Sequence, residues 1–365
     1  MAHSHSDSPL RSHGDPHPSH GDPHPDRDDP LARVRAFWAW WGAEGAALCA
    51  AAIARGGADD IVDEMNAQVA GLQEGLSWEL GPGTEAQHVL VVSPEGDPAL
   101  RALARRWLRA APDRSPTWEY ADSRQPIDLA GISLSLGDEE LPLDQIRVAT
   151  SREGNRLSVV LHHPALAGLP HQGLQQVAVL ALDAALGEND VETWVGSIDV
   201  SAEAPESTDA PLLLAELSAV VQRLREEHRD EQGQPTWVLL RGTGPGGAVL
   251  VGAQVPLAPT SAPELDEHLA VRIPYGARTD EGFPDEQSLS ALRELEDHLT
   301  QRLGSAGRLV AHETSDGARV LHYYLDSTSP TGEVVREAVA SWPSGVVQVD
   351  RDHDPAWAAV AHFRT

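Results

Sequence analysis

The chain has 365 residues, 41% of them hydrophobic, and a formal net charge of −29, from 27 Lys plus Arg against 56 Asp plus Glu. That length allows two or three packed domains of roughly 100 to 200 residues each, and the acidic field excludes the basic stripes that nucleic acid and anionic lipid require. No lysine occurs, and the lone cysteine, Cys49, permits no intrachain disulfide, so the expected compartment is the cytoplasm.

Residues 1–30 consist largely of His, Asp, Pro, Ser and Gly and contain the heptad SHGDPHP twice in tandem, from Ser12 to Pro25. They hold too little apolar surface to offset ordering entropy, so a disordered tail is predicted. His13, His17, His20 and His24 are imidazoles of the kind that suit Zn²⁺, Ni²⁺ or Cu²⁺. With no scaffold to aim them, only weak and unselective metal binding is expected, and no other cofactor.

The apolar run AFWAWWGAEGAALCAAAIA, Ala36 to Ala54, resembles a signal peptide or membrane span. Glu44 at its centre would cost about 3 kcal/mol in a bilayer, so a globular helix is expected. It starts near Asp29 or Pro30, presents Leu31, Val34, Phe37, Trp38, Trp41 and Leu48 on one face, and stops at Gly56-Gly57. A second helix runs from Asp59, with Ile61, Met65, Val69 and Leu72 at helical spacing. LSWEL and HVLVVS, separated by Gly-Pro-Gly, read as a strand pair. In GDPALRALARRWLRAAP, Asp97 is the N-cap, Pro98 opens the helix and Leu100, Leu103, Trp107 and Leu108 face inward. TWEYAD, GISLSL, QIRVAT and RLSVVLHH read as strands, followed by a helix from Gln172 to Leu186 and a strand ETWVGSIDV. The predicted divisions are a tail at 1–30, an α+β domain at 31–203, a linker and helix at 204–234, and a C-terminal α+β domain at 235–365. The linker's helix is expected from Pro211 to Glu227.

In the C-terminal domain, TWVLLRG and GAVLVGAQV form a hairpin across GTGPGG, Gly242 to Gly247. That glycine run precedes a strand, whereas a dinucleotide loop must open a helix. Strand HLAVRIPY, helix DEQSLSALRELEDHLTQRL, strands RLVAHET and RVLHYYLD across an Asp316-Gly317 turn, a helix near Gly332 to Ser341 and strand GVVQVD follow. The order βαββαβ over 266–352 is the ferredoxin-like arrangement. The overall fold class is therefore α+β in two domains, the second ferredoxin-like.

The segments TWVLLRGTGPGGAVLVGAQVPLA, HLAVRIPYG, GFPDEQSLSALRELEDHL and GRLVAHETSDGARVLHYYL resemble the family known as domain of unknown function 695, over residues 235–363. The stretch VVREAVASWPSGVVQVDRDHDPAWAAVAHF, with Asp354-Pro355 and Trp357, is similar to the regulator of ribonuclease E activity B. Members of that second family are small acidic proteins that bind and inhibit an endoribonuclease without being enzymes. The resemblance implies an acidic, non-catalytic module that binds a basic protein partner.

Strand alternation gives the candidate surface. A two-residue Asp316-Gly317 turn pairs Glu313 with Val320, Ala311 with His322 and Leu309 with Tyr324. Val310, Leu321, Tyr323 and Leu325 then face the helices with Leu269, Val271 and Ile273. His268, Arg272, Glu313, His322 and Tyr324 share the opposite face, joined by Gln348 and Asp350, and are the candidate partner-binding residues. Asp354 is placed to cap the turn containing Trp357. His162, His163 and His171 are a weaker cluster for a metal-dependent enzyme, because no carboxylate or cysteine stands near them in sequence. If metal binding resides in the tail, deleting residues 1–30 abolishes Zn²⁺, Ni²⁺ and Cu²⁺ retention in equilibrium dialysis; stoichiometric metal left on the truncated protein would contradict it.

Overall fold

The computed structural model describes residues 29–57, 59–136, 139–167, 169–203, 211–244 and 246–364. The predicted tail with His13, His17, His20 and His24, and the linker residues 204–210, lie outside them. The protein is mixed α+β, with sheets of three, two, four and six strands. No helix among the described residues is long and apolar enough to cross a membrane.

The first part comprises α1 (Pro30–Trp40), α2 (Ala46–Ala54), α3 (Asp59–Leu72), β1 (Ser77–Pro82), β2 (His88–Ser93), α4 (Pro98–Arg109) and β3 (Trp118–Ala121). α1 starts at Pro30, within the start expected near Asp29 or Pro30, and the Asp29 carboxylate caps it by accepting from the Leu31 amide. Between α1 and α2 the chain makes one π-helical turn, Trp41–Gly45. This turn corrects the predicted apolar face: the extra residue of a π turn rotates everything beyond it, so Cys49 is buried and Leu48 is 45% exposed. Burial pushes the Cys49 thiol up to about 11, far from a nucleophile's range. Val34, Phe37, Trp41, Met65, Val69, Leu90, Leu103 and Trp107 belong to this first core, where the Trp38 and Trp107 rings stack 4.7 Å apart.

The second core is built from β4 (Ser133–Leu136), β5 (Glu139–Pro142), β6 (Arg147–Glu153), β7 (Arg156–His162), α5 (His171–Leu186), α6 (Glu188–Trp194), β8 (Val195–Ser201), β9 (Leu212–Leu213) and α7 (Leu217–Glu227). Glu192 to Trp194, expected in a strand, are helical, and the helix expected from Pro211 begins only at Leu217. That helix, expected in the linker, buries Leu217, Val221 and Leu224 against Val148, Val159 and Leu182. Its i, i+4, i+7 spacing is the amphipathic signature of a helix that needs a core.

The remainder forms β10 (Thr236–Gly244), β11 (Gly247–Val255), β12 (Glu267–Pro274), α8 (Glu286–Leu303), β13 (Gly307–Ser315), β14 (Ala318–Leu325), α9 (Gly332–Val339) and β15 (Gln348–His353). The last strand is displaced toward the C-terminus from the predicted GVVQVD. The six strands lie in the order β10-β11-β13-β14-β12-β15, each neighbour antiparallel. Asp316 and Gly317, with φ of 45° and 74°, make the expected tight turn. Glu313 pairs with Val320 and Ala311 with His322 as expected, but a bulge between Leu309 and Ala311 pairs Leu309 with Tyr323 rather than Tyr324. One unpaired residue reverses the alternation beyond it. Leu309 therefore packs with Leu292, Leu299 and Tyr323 on the helix side, and Val310, expected there, packs with Tyr324 and Trp357 on the other.

Helix α4 joins the three parts. Its apolar side, Leu100, Leu103, Ala104 and Trp107, enters the first core. Two of its four arginines are not solvated: Arg101 and Arg106 are buried. Arg101 pairs with Glu192 of α6, and Arg105 with Asp122 at 2.8 Å. Arg106 reaches Asp266 at 3.0 Å and Asp326 at 2.7 Å, both at the end of the β12–β14 ladder where Glu267 pairs with Leu325. Removing one partner of a buried ion pair leaves uncompensated charge and costs about 3–5 kcal/mol. Arg106→Ala is expected to lower the unfolding free energy by about that amount in urea titration. Arg109→Ala, at an exposed pair with Glu264, should change it by less than about 1 kcal/mol; equal effects would refute the distinction.

Candidate functional site

The five predicted partner-binding residues do share one sheet face. Register places His268 opposite Tyr324, Ala270 opposite His322 and Arg272 opposite Val320, with Glu313 on the far side of Val320. His268 Nε2 and His322 Nδ1 lie 3.0 Å apart, with the rings stacked. A single proton between the two nitrogens satisfies both, whereas protonating both rings would place two cations side by side. Burial first, and then His322, hold the His268 imidazole down to about 4, against the opposing carboxylates of Asp354 and Asp352. His322 Nε2 stands 3.9 Å from Glu313 Oε1, too far for a hydrogen bond.

This face is roofed by the chain itself. The Trp357 indole stacks on Tyr324 with centroids 4.3 Å apart, and its Nε1 donates to the Leu265 carbonyl at 3.0 Å. Phe363 lies edge-on to His322. The Tyr324 hydroxyl donates to Asp354 Oδ2 at 2.6 Å. Burial, reinforced by that carboxylate, raises the phenol well above its usual value. Asp354 also accepts from the amides of Ala358 and Ala359 at 2.8 and 2.9 Å, capping the turn as predicted. His268 and His322 are only 7% exposed and Tyr324 is fully buried. The open polar surface expected from alternation is thereby corrected: of the five, only Arg272 is exposed and Glu313 half-exposed, with Gln348 and Asp350 exposed on the β15 side. Alternation tells which residues share a face, not whether a later segment covers it.

The second predicted cluster is not assembled. His162 Nδ1 lies 3.1 Å from the Ser201 carbonyl, His163 Nδ1 accepts from the Ala165 amide, and His171 is exposed at the start of α5. Among the described residues, no group of three or more His, Cys, Asp or Glu is placed to hold a metal ion.

Uncovered apolar surface lies on the helix side of the same sheet, at its β10 edge. The apolar cluster beneath α8 and α9 takes residues of β12, β13 and β14 and none of β10 or β11. Trp237 and Leu239 are left 43% and 72% exposed. The Trp237 ring stacks on His312 at 5.7 Å. Gly252 makes room for this arrangement, since a Cβ there would lie 2.6 Å from His312 Nε2. Burial, followed by Arg319, pushes the His312 imidazole down to about 4. A groove of about 430 Å³ runs alongside, lined by Trp237, Gln254, Glu264, Glu296, Asp297 and Arg308. The period-two pattern of TWVLLRG held this signal, because Trp237 and Leu239 alternate with Val238 and Leu240 and leave apolar groups on both faces. Its edge position is a property of strand order.

Residues 257–363 match a family described as "Family of unknown function (DUF695)". The match begins at Leu257 and ends at Phe363, both in the roof cluster. It omits β10 and β11, so it is shorter at its start than the resemblance expected over 235–363. No curated protein matches the chain. No solved structure matches it either.

His268 titrates near 6.5 when unfolded and near 4 when folded. Between those values the unfolded state binds more protons, so the stabilisation is complete above pH 6.5 and is lost as pH falls toward 4. The urea midpoint should therefore fall between pH 7 and pH 4.5, and His268→Gln should fall less steeply. Parallel curves for the two proteins would refute this origin.

Proposed function

We propose that the protein is a cytoplasmic, non-enzymatic binding module that takes an extended, basic and apolar segment of a partner protein along the β10 edge. The observation that carries this reading is the exposed Trp237–Leu239 pair on a nine-residue strand that ends the sheet order among the described residues, with the Thr236 amide at its start taken by the His228 carbonyl. Proteins ordinarily blunt such edges with proline, charge or a covering element. Within β10, Arg241 is the single charged residue. An added strand would satisfy the free amides and carbonyls, and its side chains on one face would meet Trp237 and Leu239. Tryptophan is the residue type most often dominant in such contacts.

The chemistry of the rim favours a basic partner. Glu296 and Asp297 stand along the groove, and the overall charge of −29 would accelerate encounter with a cationic protein at low salt. The sheet order β13-β14-β12-β15 with two helices on one face supports a ferredoxin-like reading of residues 266–352. The similarity of residues 334–363 to the regulator of ribonuclease E activity B makes a nuclease one candidate partner class. His268, His322 and Tyr324 are then structural, and Arg272 and Glu313 lie on the face away from the partner.

A fluorescent peptide alternating Arg and Leu provides the test by anisotropy. Binding is expected to weaken about tenfold or more in Leu239→Asp and Trp237→Ala, the range of interface hot spots, and to fall with added salt. Arg272→Glu should bind as the parent does. Loss of binding in Arg272→Glu with retention in Leu239→Asp would move the interface to the roofed face and overturn the assignment.

A further inference from the structure

We propose that the cleft between the second core and the six-stranded sheet binds a small organic acid, with its carboxylate on Arg156 and Arg364 and its apolar body against Leu257 and Phe363. The cleft is about 250 Å³ and takes its walls from both parts: Arg156, Glu192 and Thr193 on one side, Leu257, Phe363 and Arg364 on the other. Thr193 and Thr260 hydroxyls, 2.5 Å apart, tie the two walls together. Pockets for drug-sized ligands run from roughly 300 to 1,000 Å³. This one suits a smaller molecule.

The charge arrangement selects an anion. In a chain carrying −29, two guanidinium groups line one small cleft. The carboxylate among its lining residues, Glu192, is already engaged by the buried Arg101. Arg156 is held below its usual value by burial first and by Arg364 second, while Glu192 and Glu153 act in the opposite sense. Its Nη2 donates to the Glu192 carbonyl, and its buried Nε has no acceptor. A carboxylate received between the two guanidinium groups would relieve the repulsion between them, because guanidinium binds planar oxyanions bidentately. Arg364 is already held in place by the carbonyls of Leu257 and Ala356, at 2.9 and 3.0 Å. Less side-chain freedom is lost on binding when a group is prepositioned in this way.

The apolar side of the cleft distinguishes an organic acid from a bare oxyanion. Phe363 and Leu257 are buried members of the roof cluster, and they offer a hydrated phosphate nothing in exchange for its water. Hexanoate and benzoate are therefore the probes, with inorganic phosphate as the contrast.

Titration calorimetry on the full chain at low salt is expected to give saturable one-site binding of hexanoate or benzoate, with phosphate at least about tenfold weaker. Arg156→Gln should weaken the organic acid about tenfold or more, and Asn155→Asp, which adds negative charge at the rim, should weaken it severalfold. Asn155→Asp serves as the test if Arg156→Gln melts early by circular dichroism. Arg109→Gln, outside the cleft, should bind as the parent does. Heat-silent titrations to about 10 mM, an affinity unchanged by Arg156→Gln or by Asn155→Asp, or phosphate binding as tightly as benzoate would each overturn the proposal.

Discussion

The buried arginine face of α4 is the constraint on which the arrangement of the molecule depends. A guanidinium keeps its charge when desolvated, so each buried arginine must find carboxylates or carbonyls. Arg101 finds Glu192 in the second core, and Arg106 finds Asp266 and Asp326 in the sheet. Asp266 in turn accepts from the amide and hydroxyl of Ser327 at 3.0 Å each. The start of β12 and the end of β14 are thus pinned to one another and to the first core. The wall carrying Arg156 and Glu192 is set against the wall carrying Leu257 and Arg364 as a consequence, and that is what makes the cleft between them a fixed shape.

Within the sheet, the decisive choice is which face each covering segment takes. Two amphipathic helices cover the Leu269–Val271–Ile273 side, and the short segments 257–265 and 357–363 cover the other. The stack of Tyr324 on Trp357 and the Tyr324–Asp354 hydrogen bond hold that roof down. Beneath it His268 is held toward its neutral form by burial, with its Nε2 3.0 Å from His322 Nδ1. Polar residues gathered on one sheet face can therefore be interior, provided that they hydrogen-bond to one another and to the segment that covers them. With both sides of the sheet's centre occupied, the apolar surface left to a partner is the overhanging β10–β11 pair.

Most elements were legible in the sequence because their signals are local. Asp97-Pro98 caps and opens α4, Asp316-Gly317 turns β13 into β14, and Ile61, Met65, Val69 and Leu72 mark α3 without ambiguity. The departures arise where one residue changes the phase of a pattern. The π turn at Trp41–Gly45 exchanges Leu48 for Cys49 in the core, and the bulge before Ala311 exchanges Val310 for Leu309. The candidate face was legible only in part: its membership followed from alternation, but its burial depended on a turn that folds back from Asp354.

The sequence by itself determined most of the secondary structure, the pairing near the Asp316-Gly317 turn, the amphipathic faces of α3, α4 and α8, and the acidic field that surrounds them. These follow from caps, periods and composition, all of which act within a few residues. Tertiary structure alone decided that Arg101 and Arg106 of α4 are buried, that His268, His322 and Tyr324 lie under a roof, that β10 is an edge, and that Arg156 meets Arg364. Each of these depends on contacts between residues far apart in the chain. Burial and strand order are consequences of packing many elements at once, and no local pattern encodes them.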